Sequence, residues 1–398
     1  MGESHPSLEY LLVACVAAAL VFVLTPLARR LAIRWQALAM PRDRDVHAVA
    51  TPRMGGVALF AGFALALFVA ARLPSLDRSF TTGPEMPWLV ASAAIICAVG
   101  IIDDRFELDS LTKLAGQVLA CGLMVTKGGV QLLYIPLGHQ TVSLGRDLGI
   151  PITILFALLL INAMNFIDGL DGLASGVTVI AASAFFVFSF HLAKDGFTDV
   201  SAAPTLLAAA LAGACAGFLP HNFWPARIFM GDSGSMVVGL VLAAAATSAT
   251  TQADPQAFDS ALGSLAFYLP LLIPLAVLAL PFIDLVLAVI RRVRKGRSPF
   301  APDKQHLHHR LLELGHSHRR AVLLLYFWSA LVAFAGVGVS FEREQWFVVG
   351  SLCVLAVVGL LLMLVPRLRG RARRRAARAA RVAAGTAERP PAETSVPR

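Results

Sequence analysis

Long apolar runs dominate this chain and decide which solvent it folds in. A helix needs roughly 20 mostly apolar residues to cross the hydrocarbon core of a bilayer. Eleven stretches reach or approach that length: 8–27, 55–73, 87–102, 111–126, 148–164, 173–192, 203–219, 234–251, 265–290, 322–340 and 346–365. Those at 87–102, 111–126 and 203–219 are the shortest. Together they raise the apolar fraction to 57% and the mean hydropathy to +0.71, and leave only 15% charged. A soluble domain holds about 45–50% apolar and about 25% charged residues. The expected fold is therefore all-α, a polytopic membrane protein of about eleven transmembrane helices. The first run lacks a basic leader and is long enough to span, so it reads as a membrane helix and not as a cleavable signal.

The net charge of +9 has a strong sidedness. With the N-terminus outside, the inside loops carry 6 basic residues in 28–54, 2 in 103–113, 1 in 220–233, 9 in 291–321 and 10 from residue 366 onward. That is 28 of the 34 Lys and Arg, with Arg72, Arg78, Lys127, Arg146, Lys194 and Arg343 outside. An excess of Lys and Arg in cytoplasmic loops orients membrane proteins. It puts the C-terminus in the cytoplasm and accounts for the charge without a nucleic-acid partner. Residues 1–365 read as one polytopic domain. Residues 366–398 read as a basic, disordered cytoplasmic tail attracted to anionic membrane lipids. The stretch 130–145 alternates apolar and polar residues beside Gly128, Gly129 and Gly138, which predicts a small hairpin on the outer side. All five cysteines fall in apolar runs, where buried free thiols behave as small hydrophobes.

With this topology five polar clusters share the inside face. They are Thr51–Gly56, Asp103–Arg105, Asn162–Gly172, Phe229–Ser235 and Asp303–Arg310. One acid at a helix end is most simply a cap or a solvated residue. Asp103, Asp104, Asp168, Asp171 and Asp232 on one face repel each other unless a cation lies among them. Hard oxygen donors suit Mg²⁺, with Mn²⁺ as an alternative; Mg²⁺ takes one or two carboxylates together with substrate phosphates. Asn162, Asn165 and Asp168 recur at helical spacing and share a face. Adjacent Asp103 and Asp104 diverge by about 100° on a helix, so they divide roles, one toward a metal or nucleophile and one toward a neighbouring helix or Arg105. Asp232 opens a helix whose free N–H groups suit either a cap or a phosphate. His306, His308 and His309 offer zinc ligation, but without thiols, and beside Lys304 and Arg310, they read as a cationic grip on a diphosphate. His316 and His318 read as solvated loop residues, and Asp284 as a structural contact inside its helix.

These motifs, in this order, resemble the polyprenyl-phosphate N-acetylhexosamine-1-phosphate transferases, glycosyltransferase family 4. The resemblance runs from about residue 10 to 365 and is strengthened by Pro41–His47, Leu219–Phe223 and Gly296–Arg320, which look most like an actinobacterial N-acetylglucosamine branch. It implies transfer of N-acetylglucosamine 1-phosphate from UDP-N-acetylglucosamine to a polyprenyl phosphate, releasing UMP, on the cytoplasmic face of the plasma membrane. It also implies Asp232 as a Mg²⁺ ligand assisted by Asp104, and Asp103 acting on the lipid phosphate. Asn165, Asp168 and Asp171 would shape the nucleotide side, with Asn162 nearby and Phe229 stacking on uracil. His306, His308, His309 and Arg310 would hold phosphates or sugar. Arg53 and the Leu307/Arg310 pattern depart from the muramoyl-pentapeptide branch, which stays as the alternative substrate class. A transporter or lipid flippase is the rival from another class; it would place acids near the bilayer midplane and show repeated halves. A homodimer is compatible with all of these readings.

The topology is tested by the engineered cysteines Ser298→Cys and Gln252→Cys. An impermeant thiol reagent applied to intact cells should label the second and not the first; labelling of both would overturn the arrangement.

Overall fold

The computed structural model describes residues 6–40, 50–137, 140–194, 203–252, 268–276, 294, 317–341 and 349–360. The expected His306–Arg310 grip, Asp284 and the tail from 366 lie outside the described residues. Among the described residues the chain is a helical bundle with two short antiparallel pairings. Helix α1 is Pro6–Arg34, α2 Gly55–Ala70, the one-turn α3 Arg78–Thr81, α4 Glu85–Phe106 and α5 Ser110–Thr126. Then come α6 Gly145–Ile167, α7 Leu173–Lys194, α8 Ala203–Asn222, α9 Gly231–Gln252, α10 His318–Phe341 and α11 Val349–Leu360. Seven of these helices, α1, α4, α6, α7, α8, α9 and α10, are long and apolar enough to cross a membrane; α2, α5 and α11 are apolar but shorter. The chain is thus a multi-pass membrane protein, and α4, expected as a marginal run, is 22 residues long.

Helix α9 is the central post. Val237, Leu240, Val241, Ala243, Ala244, Ala246 and Ala249 are all buried, and α2, α4, α6 and α8 pack around them. In lipid, helices associate through close van der Waals packing, and small residues let their backbones approach. At Gly239 of α9 a Cβ would lie 2.5 Å from the Ile161 Cα of α6. At Gly56 of α2 it would lie 2.1 Å from the Gly234 nitrogen of α9. At Gly100 of α4 it would lie 2.3 Å from the Ser233 Cα. The G-x-x-x-G pair Gly213 and Gly217 does the same for α8, where added carbons would meet the Ala14 and Ala18 carbonyl oxygens of α1 at 2.1 Å.

The polar contacts separate the two ends of the bundle. At one end Ser248 of α9 donates to Glu85 of α4, and Thr251 donates to the Gln131 carbonyl at 2.6 Å. The expected hairpin lies beyond α5, with β3 (Tyr134–Leu137) antiparallel to β4 (Gln140–Ser143). At the other end β1 (Leu38–Ala39) pairs with β2 (Thr51–Pro52), and Asp103, Asp104, Asn165, Asp168 and Asp232 come together there. The one-face expectation therefore holds for four of the five polar clusters, the fifth lying outside the described residues. Two expectations change. Cys97, Cys121 and Cys215 are buried, but Cys15 and Cys353 are exposed on the outer surface of apolar helices. His318 is not a solvated loop residue; it opens α10 and is buried against the Trp224 ring.

Replacing Gly100 with alanine should push α4 off the α9 backbone. Overpacking of this kind costs about 1–3 kcal/mol, so Gly100→Ala should melt clearly below wild type in detergent, whereas Gly122→Ala, where nothing lies within 4 Å, should not.

Candidate active site

The site is assembled on the first turn of α9. The first N–H groups of a helix have no partner within it and are usually met by a cap from the adjoining residues. Here acids from two other helices meet them. Asp104, in the last turn of α4, accepts the Asp232 N–H at 2.8 Å on Oδ1. On Oδ2 it accepts the Ser233 N–H at 3.2 Å and the Ser233 hydroxyl at 2.7 Å. Asp168, directly after α6, accepts the Gly231 N–H at 3.0 Å. The positive end of the α9 dipole favours both carboxylates. Gly231 has φ 71°, and a Cβ there would lie 2.5 Å from Asp104 Oδ2, so glycine supplies both the left-handed turn and the room.

The adjacent acids of α4 do point to different partners. Asp104 faces the neighbouring helix. Asp103 accepts the Leu108 N–H at 2.7 Å with one oxygen and lies 2.8 Å from the Lys113 ammonium with the other. Lys113, in the first turn of α5, also bonds Asp232 Oδ2 and so bridges the two acids. The other Asp232 oxygen accepts from the Asn165 amide, whose nitrogen is 3.1 Å from Ser235 Oγ. Lys113 was not among the expected site residues. Its signal in the sequence is its position, a lone lysine in an apolar helix, where a charge needs a partner.

The remaining expected residues divide. Asn165 and Asp168 reach α9, but Asn162 faces α5, donating to Gln117 Oε1 at 2.9 Å and to the Leu158 carbonyl at 2.8 Å. Asp171 is buried and accepts the Ala226 N–H at 2.8 Å. Beside it Asn222, at the end of α8, accepts the Gly172 N–H at 3.2 Å and the Ser175 hydroxyl at 2.9 Å, and donates to the Ile228 carbonyl at 3.0 Å. Asn222 lies within the Leu219–Phe223 stretch that carried the resemblance, yet a single asparagine at a helix end gave no reason to name it. Phe229 is half-buried and runs alongside the start of α2, donating to the Pro52 carbonyl at 2.8 Å and accepting the Gly55 N–H at 3.0 Å. Arg53, whose N–H bonds the Ala37 carbonyl at 2.9 Å, is close enough to Asp168 to act on its charge. Burial raises the Asp168 pKa well above its ordinary value, reinforced by the charges of Asp232 and Asp104 and opposed by the Gly231 N–H and Arg53.

Asp103 and Asp232 direct oxygens at one cationic position, filled here by the Lys113 ammonium. No group of three or more His, Cys, Asp or Glu side chains arranged to hold a metal occurs among the described residues. Two carboxylates with water and substrate oxygens completing the shell is the habit of Mg²⁺, and these hard donors fit it. Asp104, expected to share the metal, instead has both oxygens committed to the α9 backbone and Ser233.

The fold and the site together define a multi-pass membrane protein with a lysine-bridged acid pair on a helix N-terminus at one end of its apolar bundle. Residues 86–250 match the family model described as glycosyl transferase family 4, a span that holds every acid of the site. The chain is 46% identical over 372 residues to the decaprenyl-phosphate N-acetylglucosaminephosphotransferase of Mycolicibacterium smegmatis, covering 92% of this chain and 91% of that one. It is 31% identical over 357 residues, 88% of this chain and 89% of the other, to the probable undecaprenyl-phosphate N-acetylglucosaminyl 1-phosphate transferase of Bacillus subtilis. The Yersinia pestis undecaprenyl-phosphate alpha-N-acetylglucosaminyl 1-phosphate transferase is 28% identical over 319 residues, 78% of this chain and 79% of its own. The chain belongs to glycosyl transferase family 4.

Asp104→Asn turns one of its acceptor oxygens into a donor facing α9. A buried donor left without an acceptor costs about 1–3 kcal/mol, so this variant should lower the melting temperature in detergent as well as activity.

Proposed function

We propose that this protein transfers N-acetylglucosamine 1-phosphate from UDP-N-acetylglucosamine to a polyprenyl phosphate, releasing UMP, at the cytoplasmic face of the plasma membrane. The observation that carries the reading is the Asp103–Lys113–Asp232 bridge at the start of α9, in a chain nearly half identical to a decaprenyl-phosphate N-acetylglucosaminephosphotransferase along almost its full length. The membrane arrangement proposed with it has eleven spans, an outside N-terminus and a cytoplasmic C-terminus, supported by the 28-to-6 division of basic residues.

The chemistry must bring one anion against another. An oxygen of the lipid phosphate attacks the sugar-bearing phosphorus of the diphosphate. The new P–O bond forms as the bond to the UMP oxygen breaks, and UMP leaves with that oxygen. Catalysis of phosphoryl transfer is mostly positioning and charge stabilisation. Asp103, at the exit of α4, orients the lipid phosphate and accepts its proton when the acceptor arrives as the monoanion. The Lys113 ammonium offsets charge as the diphosphate enters. Asp232 is the residue that would hold Mg²⁺, at the cationic position it shares with Asp103, and the bound ion would supply further charge neutralisation on the phosphates. Asn165 fixes the Asp232 carboxylate by its amide. Asp104 holds the α9 N-terminus, whose dipole favours the incoming phosphates. Asp168, Asp171, Asn222 and Phe229 form the uridine side, and Arg53 with His306, His308, His309 and Arg310 receives sugar and phosphate.

Membranes incubated with radiolabelled UDP-N-acetylglucosamine and polyprenyl phosphate should yield labelled lipid and UMP in equal amounts; preferential turnover of the muramoyl-pentapeptide nucleotide would assign the other branch. Among purified variants, Asp232→Asn should lose transfer and its response to Mg²⁺ together. Asp103→Asn should keep nucleotide binding while transfer falls by at least about 10²-fold, the scale of a lost acid–base group. Wild-type turnover and Mg²⁺ response in Asp232→Asn would remove Asp232 from the metal.

A further inference from the structure

The turn carrying Asp168 and Asp171 is held from two sides. On the site side, Asp168 accepts the Gly231 N–H and Asp171 the Ala226 N–H, as described above. On the far side, the Gly172 carbonyl accepts three hydrogen bonds: from the Tyr326 hydroxyl of α10, from the Ser175 hydroxyl at 3.1 Å and from the Gly176 N–H at 2.9 Å. The last two are local to α7 and would exist in any helix start of this kind. The Tyr326 bond comes from 154 residues away.

The space for that ring is made by two glycines. A Cβ at Gly176 would lie 2.1 Å from both Cζ and the hydroxyl oxygen of Tyr326. Gly172 has φ +75°, and a Cβ there would lie 3.0 Å from the Phe223 ring and 3.2 Å from the Tyr326 oxygen. The same helix also grips the segment that faces this turn. His318, at the start of α10, stacks on Trp224 with ring centres 4.4 Å apart, and Arg319 donates to the Trp224 carbonyl at 3.2 Å. Trp224 lies between Asn222, which accepts the Gly172 N–H, and Ala226, which bonds Asp171. Helix α10 therefore touches both halves of the Asp171–Asn222 junction.

We propose that Tyr326 is a positioning residue for the nucleotide: its hydroxyl, hydrogen-bonded to the Gly172 carbonyl, sets the Asp168–Gly172 turn at the distance from α9 that the uridine side of the site requires. The proposal rests on the transfer reaction proposed above and adds a residue from a helix outside the acid cluster. Loss of the hydroxyl leaves the ring packed and Asp103, Lys113 and Asp232 in place, so the lipid acceptor and the chemical step are spared while nucleotide binding through the Asp168–Gly172 turn loosens.

Steady-state kinetics and UMP titration on purified Tyr326→Phe test this. The expected result is a rise of roughly five- to tenfold in KM for UDP-N-acetylglucosamine and in the Kd of UMP, the size of one lost hydrogen bond. The turnover number should stay within about twofold, and KM for polyprenyl phosphate should not change. Gly176→Ala, which keeps the hydroxyl but displaces the ring, should reproduce the same split, so that a poorly folding variant of one kind leaves the other to decide. A lower melting temperature with KM and UMP affinity unchanged would mean that Tyr326 is only structural and would overturn the proposal. If wild type failed to turn over UDP-N-acetylglucosamine, the reaction would be wrong, and the UMP titration would still judge Tyr326 by itself.

Discussion

The structure of the site depends on how the N-terminus of α9 is held inside an apolar bundle. Unmet N–H groups are expensive wherever water is excluded, and α9 is buried from its first turn. Asp104 and Asp168 resolve this by reaching in from α4 and α6, and in doing so they fix three helices to one another. Gly56, Gly100 and Gly231 are the steric counterpart: each removes a side chain that would otherwise keep a carboxylate or a backbone away from that turn. The same contacts that satisfy the helix also aim its positive end at the place where phosphates would arrive, so stability and chemistry share one set of bonds.

Around that fixed turn, charge is balanced by Lys113. Two acids that share a site cannot both stay ionised at low cost without a cation between them, and the ammonium of α5 occupies that position between Asp103 and Asp232. This gives the two neighbouring acids of α4 different duties. Asp104 is committed to backbone and hydroxyl donors, while Asp103 pairs with the Lys113 ammonium and the Leu108 N–H. The acids gather at one end of the bundle and not at mid-height, which separates this arrangement from an ion path through the membrane.

Much of this was legible in the residues alone. The apolar lengths gave the helices, and the small hairpin after α5 followed from alternation beside glycines. Asp103, Asp104, Asp168 and Asp232 could be grouped because each ends or opens an apolar run on the side rich in Lys and Arg. Lys113 and Asn222 were harder. One looked like a topological charge and the other like a single polar residue at a helix end, and nothing in their spacing tied them to the acids. A histidine among basic residues looks solvated, but at His318 an aromatic partner ninety-four residues earlier, Trp224, draws the ring into the interior.

The sequence by itself determined the solvent of the fold and the residue types that close and open its apolar runs, because apolar length and the placement of polar residues at the ends of such runs are local quantities set by the cost of burying polar groups in lipid. Only the tertiary structure decided which acid faces which donor. Asp104 bonds a helix more than a hundred residues away, Lys113 chooses Asp103 and Asp232 together, and Tyr326 meets Gly172 across the bundle. Such pairings depend on the rotation and closeness of packed helices, which glycines scattered through the chain set jointly and no single segment specifies.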